Sequence, residues 1–403
     1  MSRPLRLLTF TTLFPSSARP GHGIFVETRL RELLKSGQVE SRVVAPVPWF
    51  PSRNPRFGSY SRMAATPERE TRNGLEVLHP RYLLAPKIGM IMAPLTLAMG
   101  ARAAIRRLID EGFDFDVIDA HYFYPDGVAA ALLGWHFKKP FTITARGSDL
   151  NLIPRFRLPR RMMQWAASRA TALIGVCAAL VDVLRGWRLS EEKLHVMRNG
   201  VDLERFQPLP RDDMRRQLGL GAAPILLSVG NLVELKGHKL LIQALARLLP
   251  EYPDAQLVII GEGPERAGLE QLARELGMQD RLRLTGALPN TELRRWYSAA
   301  DLSVLASSRE GWANVLLESM ACGTPVVATD VGGSAEVIGD SVAGVLVRQR
   351  DPESLAQAML QLLREARDRS QVRAYAEQFS WQATTNAQLS LFAAIVSKEP
   401  AHA

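Results

Sequence analysis

Short apolar runs alternate along the whole chain with longer segments in which apolar residues recur every three or four positions. The short runs predict buried strands, and the longer segments predict amphipathic helices that cover them. Regular alternation of this kind is typical of parallel sheets with helices on both faces. The chain is therefore predicted to be an α/β protein.

Two series of strands are predicted, separated by a change in composition. The first series is expected at residues 5–12, 41–47, 117–120, 141–145 and 172–176, with a helix at 25–36. The second is expected at 225–229, 256–260, 282–285, 302–305 and 325–328, with helices near 236–249, 265–276, 291–299 and 314–322. Residues 48–74 are rich in Pro, Arg and Ser and are expected to form an irregular excursion.

The stretch 199–223 contains two prolines, many charges and a Gly-Ala run, and it is interpreted as a linker. At about 150 residues per domain, 403 residues predict two domains. We expect doubly wound domains at 1–203 and 204–379, with a final helix at 380–398 that packs back on the first. Ligands of such sheets bind at the carboxyl ends of the strands, so a cleft there is expected to hold the site.

The hydrophobic fraction of 47% and charged fraction of 23% are those of a globular protein. Two cysteines, Cys177 and Cys322, lie in apolar sequence and are expected to be buried thiols. Their number excludes a disulfide framework, which suits a reducing compartment. Because no Cys/His cluster has the spacing of a zinc site, no bound metal is expected.

Charge is distributed unevenly between the halves of the chain. Residues 1–200 contain 29 basic and 16 acidic side chains and carry +13, whereas residues 201–403 contain 21 and 25 and carry −4. The basic half predicts an anionic partner. No compact basic motif with interleaved aromatics indicates nucleic acid, so an anionic membrane surface or a phosphorylated lipid fits better.

The stretch 155–165 mixes arginines with apolar residues and is either a solvated helix face or a membrane-surface contact. No run of about 20 apolar residues, the length of a membrane-spanning helix, is present. The basic and then apolar N-terminus lacks a small-residue cleavage site and is interpreted as the first strand. We therefore expect a cytoplasmic protein, with peripheral membrane contact possible in its basic half.

Two glutamates follow the strand expected at 302–305. Glu310 lies in the loop, and Glu318 lies within the helix that begins near Asn314. Free N–H groups at a helix start bind anions, so Glu310 would lie near such an anion and Glu318 would accept hydrogen bonds from ligand hydroxyls. Isolated glutamates at this spacing are usually surface residues, but the apolar, turn-rich run at 320–333 favours a functional site.

Several segments carry a more specific pattern. The sharpest are SVGNLVELKG at 228–237, LVIIGEGP at 257–264, TGALPNTEL at 285–293, REGWANVLLESMACGTPVVATDVGGSAEVI at 309–338 and NGVDLERF at 199–206. Looser ones are PGHGIFVE at 20–27, DVIDAHYFYPDG at 116–127 and TARGSD at 144–149. Together they resemble the retaining glycosyltransferases of family 4, whose GT-B fold has two Rossmann-like domains.

The resemblance assigns a donor site to the C-terminal half. It implies that Glu318 binds the donor ribose and that Glu310 meets the donor sugar. Lys236 would neutralise the β-phosphate, and His238 beside it is expected on a helix surface. The backbone amides that would cradle the diphosphate are those of Asn314, Val315 and Leu316.

For the N-terminal half, the resemblance implies that His121 lies on the acceptor side near the anomeric carbon. It also implies that Gly21 and Gly23 form the loop under the diphosphate, where the lack of a Cβ permits close backbone approach. The first acidic pair, Asp114 and Asp116, has the form of a metal motif but leads into an apolar strand and is expected to be structural.

The sequence departs from the family pattern at three points, one of which is Trp312-Ala313, where the family commonly has Phe-Gly. Asn231, which we place in the donor site, stands where the family usually has an arginine, so one of two phosphate cations is missing. Arg146 and Arg198 are the two alternatives for its replacement, and we place both, with Asp149, on the acceptor or phosphate side. Arg146 also stands where the family commonly has a histidine.

The resemblance implies transfer of a hexose-type sugar from a nucleotide diphosphate sugar to a glycan or lipid-linked acceptor, and retention of anomeric configuration is expected from the resemblance alone. No metal and no cofactor beyond the donor are expected, because a lysine and helix-start amides would stabilise the charge on the leaving phosphate. Two alternatives stay open: a sugar-nucleotide epimerase of GT-B architecture, and a non-catalytic sugar-nucleotide-binding protein, which Asn231 favours.

Overall fold

A computed structural model describes residues 3–84 and 89–398. The chain divides into two compact units. Unit 1 comprises the residues up to Arg198 together with those from Gln382 onward, and unit 2 is Asn199–Trp381. Each unit is built around its own sheet.

Among the described residues, unit 1 contains an eight-stranded sheet with the order β10-β9-β8-β7-β1-β2-β5-β4. All neighbours in it are parallel except β4 and β5. A separate parallel pair joins β3 to β6. The strands are β1 Leu5–Phe10, β2 Val39–Val44, β3 Val47–Pro48, β4 Arg69–Arg72, β5 Leu75–Leu78, β6 Arg81–Tyr82, β7 Val117–His121, β8 Phe141–Ala145, β9 Ala172–Gly175 and β10 Leu194–Val196.

Helices cover this sheet between the strands. They are α1 Ile24–Leu34, α2 Ser59–Ala65, α3 Gly89–Asp110, α4 Val128–Phe137, α5 Ser148–Asn151, α6 Arg157–Arg169 and α7 Ala178–Arg185. The irregular excursion expected at 48–74 is wrong in part, because this stretch contains α2 and the edge strand β4. The sequence of β4 is entirely polar, and β4 forms by antiparallel pairing with β5 at the sheet edge, so no apolar pattern announces it.

Unit 2 contains a parallel six-stranded sheet with the order β13-β12-β11-β14-β15-β16. This is the strand order of a Rossmann fold. The strands are β11 Ile225–Val229, β12 Gln256–Ile260, β13 Leu282–Gly286, β14 Leu302–Leu305, β15 Val326–Thr329 and β16 Gly344–Val347. The helices are α8 Arg211–Leu218, α9 His238–Leu248, α10 Arg266–Glu275, α11 Asn290–Ala299, α12 Asn314–Ala321, α13 Ser334–Val337, α14 Pro352–Glu365 and α15 Arg369–Glu377.

The stretch 199–223 is not simply a linker, since it contains α8. This helix is held by a buried charge rather than by an apolar face. Arg215 is 6% exposed, and its Nη2 lies 2.5 Å from Asp301 Oδ2. Because α8 contains few apolar residues, the hydrophobic pattern did not reveal it.

The last helix, α16 Trp381–Lys398, contributes to the core of unit 1. Phe392 and Ile395 pack in a buried cluster with Leu7, Leu33 and Val117. Both cysteines are free and buried, as expected. In the described part of the chain, no helix combines the length and apolar character needed to cross a membrane.

Candidate active site

Unit 2 has its topological switch point between β11 and β14, the neighbouring strands from which the chain leaves in opposite directions. Ligands of open parallel sheets bind in the crevice at the carboxyl ends of such strands. Lys236 follows β11 and Glu310 follows β14, and Lys236 Nζ lies 2.6 Å from Glu310 Oε1. Ser307 Oγ, fully buried, donates to the same oxygen at 2.6 Å. The structure therefore brings two sequence-predicted residues together as an ion pair.

Two glycines fix the loops that carry this pair. Gly237 has φ +70°, and a Cβ there would lie 2.2 Å from the carbonyl oxygen of Ala306. Gly332 has φ +53°, and its Cβ would lie 2.0 Å from the carbonyl oxygen of Glu310. No other residue type fits at either position without moving the backbone. The ion pair is thus positioned by two close backbone contacts.

His238 supports the Lys236 loop from beneath and is not on a helix surface, so that expectation is wrong. It is 3% exposed, with Nε2 3.2 Å from the carbonyl oxygen of Asn231 and Nδ1 3.4 Å from Ser228 Oγ. Burial lowers the pKa of His238 to about 4. The Asn231 side chain itself is exposed at the end of β11.

Helix α12 begins beside Glu310 without a side-chain cap and without an acidic residue in its first turn. Of the three amides expected to cradle a diphosphate, that of Asn314 donates to Trp312 O at 3.1 Å and that of Leu316 to Ala313 O at 3.0 Å. Both bonds belong to a tight first turn. The positive end of the helix dipole at Val315 is therefore available to an anion without competition from a capping carboxylate.

Glu318 lies one turn further along α12 and is half-buried. Tyr297, fully buried on α11, donates its hydroxyl to Glu318 Oε2 at 3.0 Å. Burial raises the pKa of Glu318 to about 7, opposed by this hydrogen bond and by the positive charge of Arg205. Tyr297 is itself held, since its carbonyl oxygen accepts a hydrogen bond from Thr324 Oγ1 at 2.6 Å. Glu318 is thus a fixed carboxyl group whose charge changes near neutral pH.

In unit 1 the switch point lies between β1 and β7, and His121 is the last residue of β7. Its side chain is 2% exposed, with Nε2 3.1 Å from Asp119 Oδ2 and Nδ1 2.7 Å from Arg146 Nη2. A guanidinium can only donate, so Nδ1 accepts and the ring proton is on Nε2, which donates to Asp119. Burial lowers the pKa of His121, which favours this neutral form.

Arg146 follows β8 and is half-buried, with its guanidinium carbon 5.4 Å from the centre of the Phe25 ring. Burial, together with the charge of Arg29, lowers its pKa to about 9. Asp149 is fully buried and accepts from the amides of Phe123 at 2.8 Å and Gly147 at 2.7 Å. Asp149 thus connects the loops after β7 and β8, because its carboxylate accepts hydrogen bonds from backbone amides of both loops.

The glycine loop after β1 contains both predicted glycines. Gly23 has φ +69°, and a Cβ there would lie 2.3 Å from Leu13 O, whereas a Cβ on Gly21 would meet no atom within 4 Å. The protein itself therefore requires a glycine at 23, and the space above Gly21 is open. Arg198, exposed at the end of the first segment of unit 1, is linked through its carbonyl oxygen to Thr384.

Sequence reasoning missed four residues that act through others. Ser307 contacts Glu310, Tyr297 and Arg205 act on Glu318, and Asp119 fixes the tautomer of His121. Only Asp119 carried a pattern that could have revealed it. It is the single charged residue among the apolar neighbours that precede His121 on β7.

Comparisons with known proteins identify the family of the chain. A family described as Glycosyltransferase Family 4 matches residues 21–205, and one described as Glycosyl transferases group 1 matches residues 210–379. The putative teichuronic acid biosynthesis glycosyltransferase TuaC of Bacillus subtilis is 31% identical over 361 residues, covering 88% of each chain. A D-inositol 3-phosphate glycosyltransferase of Corynebacterium urealyticum is 32% identical over 322 residues, covering 74% of this chain and 76% of the relative.

Solved structures share the fold. Sucrose-phosphate synthase from Thermosynechococcus elongatus has a TM-score of 0.79 at 21% identity, covering 98% of this chain and 100% of its own. HepE from Anabaena in complex with UDP-glucose has a TM-score of 0.72 at 20% identity, covering 96% and 99%. The two units are therefore those of a GT-B glycosyltransferase. The chain belongs to glycosyltransferase family 4.

Proposed function

We propose that this glycosyltransferase moves a hexose-type sugar from a nucleotide diphosphate donor, bound mainly by unit 2, onto a glycan or lipid-linked acceptor met by unit 1. The observation that carries the proposal is the contact between Lys236 Nζ and Glu310 Oε1 at the switch point, beside the uncapped start of α12. The loops after β11 and β14 and the start of α12 thus provide a cation, an acceptor carboxylate and a helix dipole, and a sugar diphosphate presents the complementary groups.

The proposed chemistry uses this charge distribution. As the bond between the anomeric carbon and the β-phosphate oxygen breaks, negative charge grows on the phosphate, and Lys236 with the α12 dipole stabilises it. Glu310 accepts from donor-sugar hydroxyls, and Glu318 accepts from the ribose. The acceptor oxygen bonds to the anomeric carbon on the face that the phosphate leaves, and its proton passes to the departing phosphate oxygen. Configuration is then retained, and neither a metal nor a further cofactor takes part.

On the acceptor side, we assign His121 a role through Arg146. The neutral imidazole accepts from the guanidinium and donates to Asp119, so it aims a fixed cation at the carboxyl edge of the unit 1 sheet. A fixed guanidinium suits an acceptor with phosphate or carboxylate groups. The loop containing Gly21, where a Cβ would meet no atom within 4 Å, is proposed to approach a phosphate group with its backbone.

The relatives support this choice of ligands. HepE was crystallised with UDP-glucose, and the curated relatives are named for teichuronic acid synthesis and for D-inositol 3-phosphate. One protein of this fold thus binds a nucleotide sugar, and one relative is named for a phosphorylated, anionic compound. We place the reaction in the cytoplasm, at the inner face of the membrane, where the basic first half would meet an anionic partner other than nucleic acid.

The proposal is tested by calorimetric binding of UDP-, GDP-, ADP- and TDP-sugars to the wild type and to Glu318→Ala. Glu275→Ala, an exposed glutamate on α10, is the matched control. Selective binding of one donor that is lost in Glu318→Ala and kept in Glu275→Ala is expected. If no donor binds, the exposed Asn231 marks a disabled phosphate site and the transferase proposal fails.

The outcome of turnover separates the remaining possibilities. The NMR coupling of the product's anomeric proton reports whether configuration is retained, and an inverted product would refute the proposed same-face route. Incubation with donor alone that yields an epimer would instead assign an epimerase. Tight donor binding with neither transfer nor hydrolysis, across an acceptor screen, would assign a binding protein.

A further inference from the structure

Seven of the fifteen large apolar side chains that are exposed in the described part of the chain lie in two segments of unit 1. The first is the start of α3, and the second is the turn that leads into α6. The side chains are Met90, Ile91, Met92, Leu95 and Met99, exposed by 39–62%, and Phe156 and Leu158, exposed by 46% and 45%. Single exposed apolar residues are ordinary, but apolar residues that are exposed side by side mark an interaction surface.

The two segments lie together at one end of unit 1. Tyr124 bridges them, since its hydroxyl donates to Met90 O and lies 3.9 Å from Met162 Sδ on α6. Each helix is followed directly by a parallel strand, α3 by β7 and α6 by β9, so each helix begins near the carboxyl edge of the sheet. His121 ends β7 at that same edge. The exposed apolar surface therefore adjoins the acceptor-side residues.

The charge of this region has one sign. Arg155, Arg157, Arg160 and Arg161 are all exposed and are interleaved with Phe156 and Leu158. Residues 77–109 and 150–181 contain no Asp or Glu. An apolar surface interleaved with arginines has the character of an interfacial membrane surface, because arginine binds lipid phosphates while apolar side chains enter the boundary with the acyl chains.

We propose that the surface formed by residues 89–99 and 155–161, the docking surface, binds the anionic face of a lipid bilayer. The positive charge attracts the headgroups, and the exposed Met, Ile, Leu and Phe side chains insert among them. A soluble polyanion would need the arginines but would leave the apolar side chains in water. The link to a lipid-borne acceptor at the edge with His121 rests on the proposed function, whereas bilayer binding does not.

The test is co-sedimentation of the full chain with vesicles of phosphatidylcholine alone or mixed with phosphatidylglycerol. The wild type should bind the anionic vesicles and not the neutral ones. Because each cation near an anionic bilayer is worth about fivefold in affinity, Arg160→Glu/Arg161→Glu should weaken binding by about 30-fold or more. The control Arg274→Glu/Arg348→Glu makes the same charge change at exposed positions of unit 2 and should bind like the wild type.

A second pair of variants tests insertion. Leu95→Asp/Phe156→Asp should lose vesicle binding, while its far-ultraviolet circular dichroism and melting temperature match the wild type. If Leu95→Asp/Phe156→Asp binds vesicles as well as the wild type does, insertion is overturned. If the unit 2 control weakens binding as much as Arg160→Glu/Arg161→Glu does, the net charge of the protein explains the binding and the docking surface does not. Soluble polyaspartate is added as a competitor to protein bound to anionic vesicles. If it releases the protein as effectively as an excess of competing anionic vesicles does, the surface would be assigned to an acidic polymer. Donor binding serves as the independent readout, so its loss counts against the proposed function alone.

Discussion

Replacing Tyr297 by Phe removes one hydroxyl, the donor to Glu318 Oε2, and leaves the ring in place. A hydrogen bond to a charged group contributes about 1.5–3 kcal/mol, and one pKa unit corresponds to about 1.4 kcal/mol. Loss of the hydroxyl should therefore raise the pKa of Glu318 from about 7 by roughly one to two units. The ionised carboxylate is the form that accepts from ribose hydroxyls, so the variant should need a higher pH to bind donor.

The pH dependence gives this prediction its magnitude. At pH 6 both proteins are mostly protonated at Glu318, and the variant should bind donor about 10- to 100-fold more weakly. At pH 9 the wild type is ionised and the variant largely so, and the deficit should shrink to about twofold or less. A merely structural loss would lower affinity by the same factor at every pH.

The assay is calorimetric titration with the cognate nucleotide sugar from pH 6 to pH 9. The diphosphate of an intact nucleotide sugar stays fully ionised across this range. The base begins to ionise only at the upper end of the range and is the same in both titrations, so a change in the ratio between variant and wild type comes from the protein. Tyr252→Phe, the same chemical change at a half-buried position of unit 2, is the control. A constant ratio between variant and wild type across the pH range would refute the positioning role of Tyr297.

Three further outcomes are expected. Lys236→Ala should lower the rate of transfer by about 100-fold or more, because it removes a charge opposite the leaving phosphate. The control Lys239→Ala, at an exposed position, should leave the rate unchanged. An unchanged rate in folded Lys236→Ala would remove Lys236 from the site. Gly237→Ala should lower the free energy of unfolding by more than Gly219→Ala does. At Gly219 a Cβ has open space, so the positive φ alone costs about 1 kcal/mol, whereas at Gly237 the Cβ also clashes with the backbone. Equal urea midpoints for the two variants would contradict the clash. Glu318→Gln should melt at a higher temperature than the wild type at pH 8. The pKa of Glu318 in the folded protein, about 7, lies above the ordinary value of 4.5, so the wild type loses stability as pH rises through the folded pKa. The higher melting temperature of the variant should disappear by pH 4.5, and a difference that persists at that pH would show that charge is not its cause.

The strands that the sequence located best are largely buried ones. Residues 141–145, 225–229, 256–260 and 302–305 match β8, β11, β12 and β14 residue for residue, because a short and mainly apolar run between turn residues permits few registers. The sequence analysis did not predict β4 or α8. Pairing at the sheet edge stabilises β4, and a buried arginine stabilises α8. Both depend on contacts between residues distant in sequence.

The candidate site divides in the same way. Glu310 and Glu318 could be proposed from their places after a strand and within a helix, whereas Lys236 was implied by the resemblance to the family. Tyr297 and Ser307 could not, because their roles depend on which helix packs against which loop. Their residue types are common in such positions, and the sequence gives no separate indication of a partner.

The route of the chain has a consequence for its synthesis on the ribosome. Unit 2 is one continuous stretch, whereas unit 1 takes Phe392 and Ile395 from α16 into a cluster with Leu7 and Leu33. Domains usually fold in the order in which they emerge, the N-terminal one first. Here the first half to be synthesised keeps the apolar residues that contact α16 exposed until α16 has been made, whereas unit 2 can complete its fold before then. The nascent first half is therefore the species that chaperones have most reason to hold.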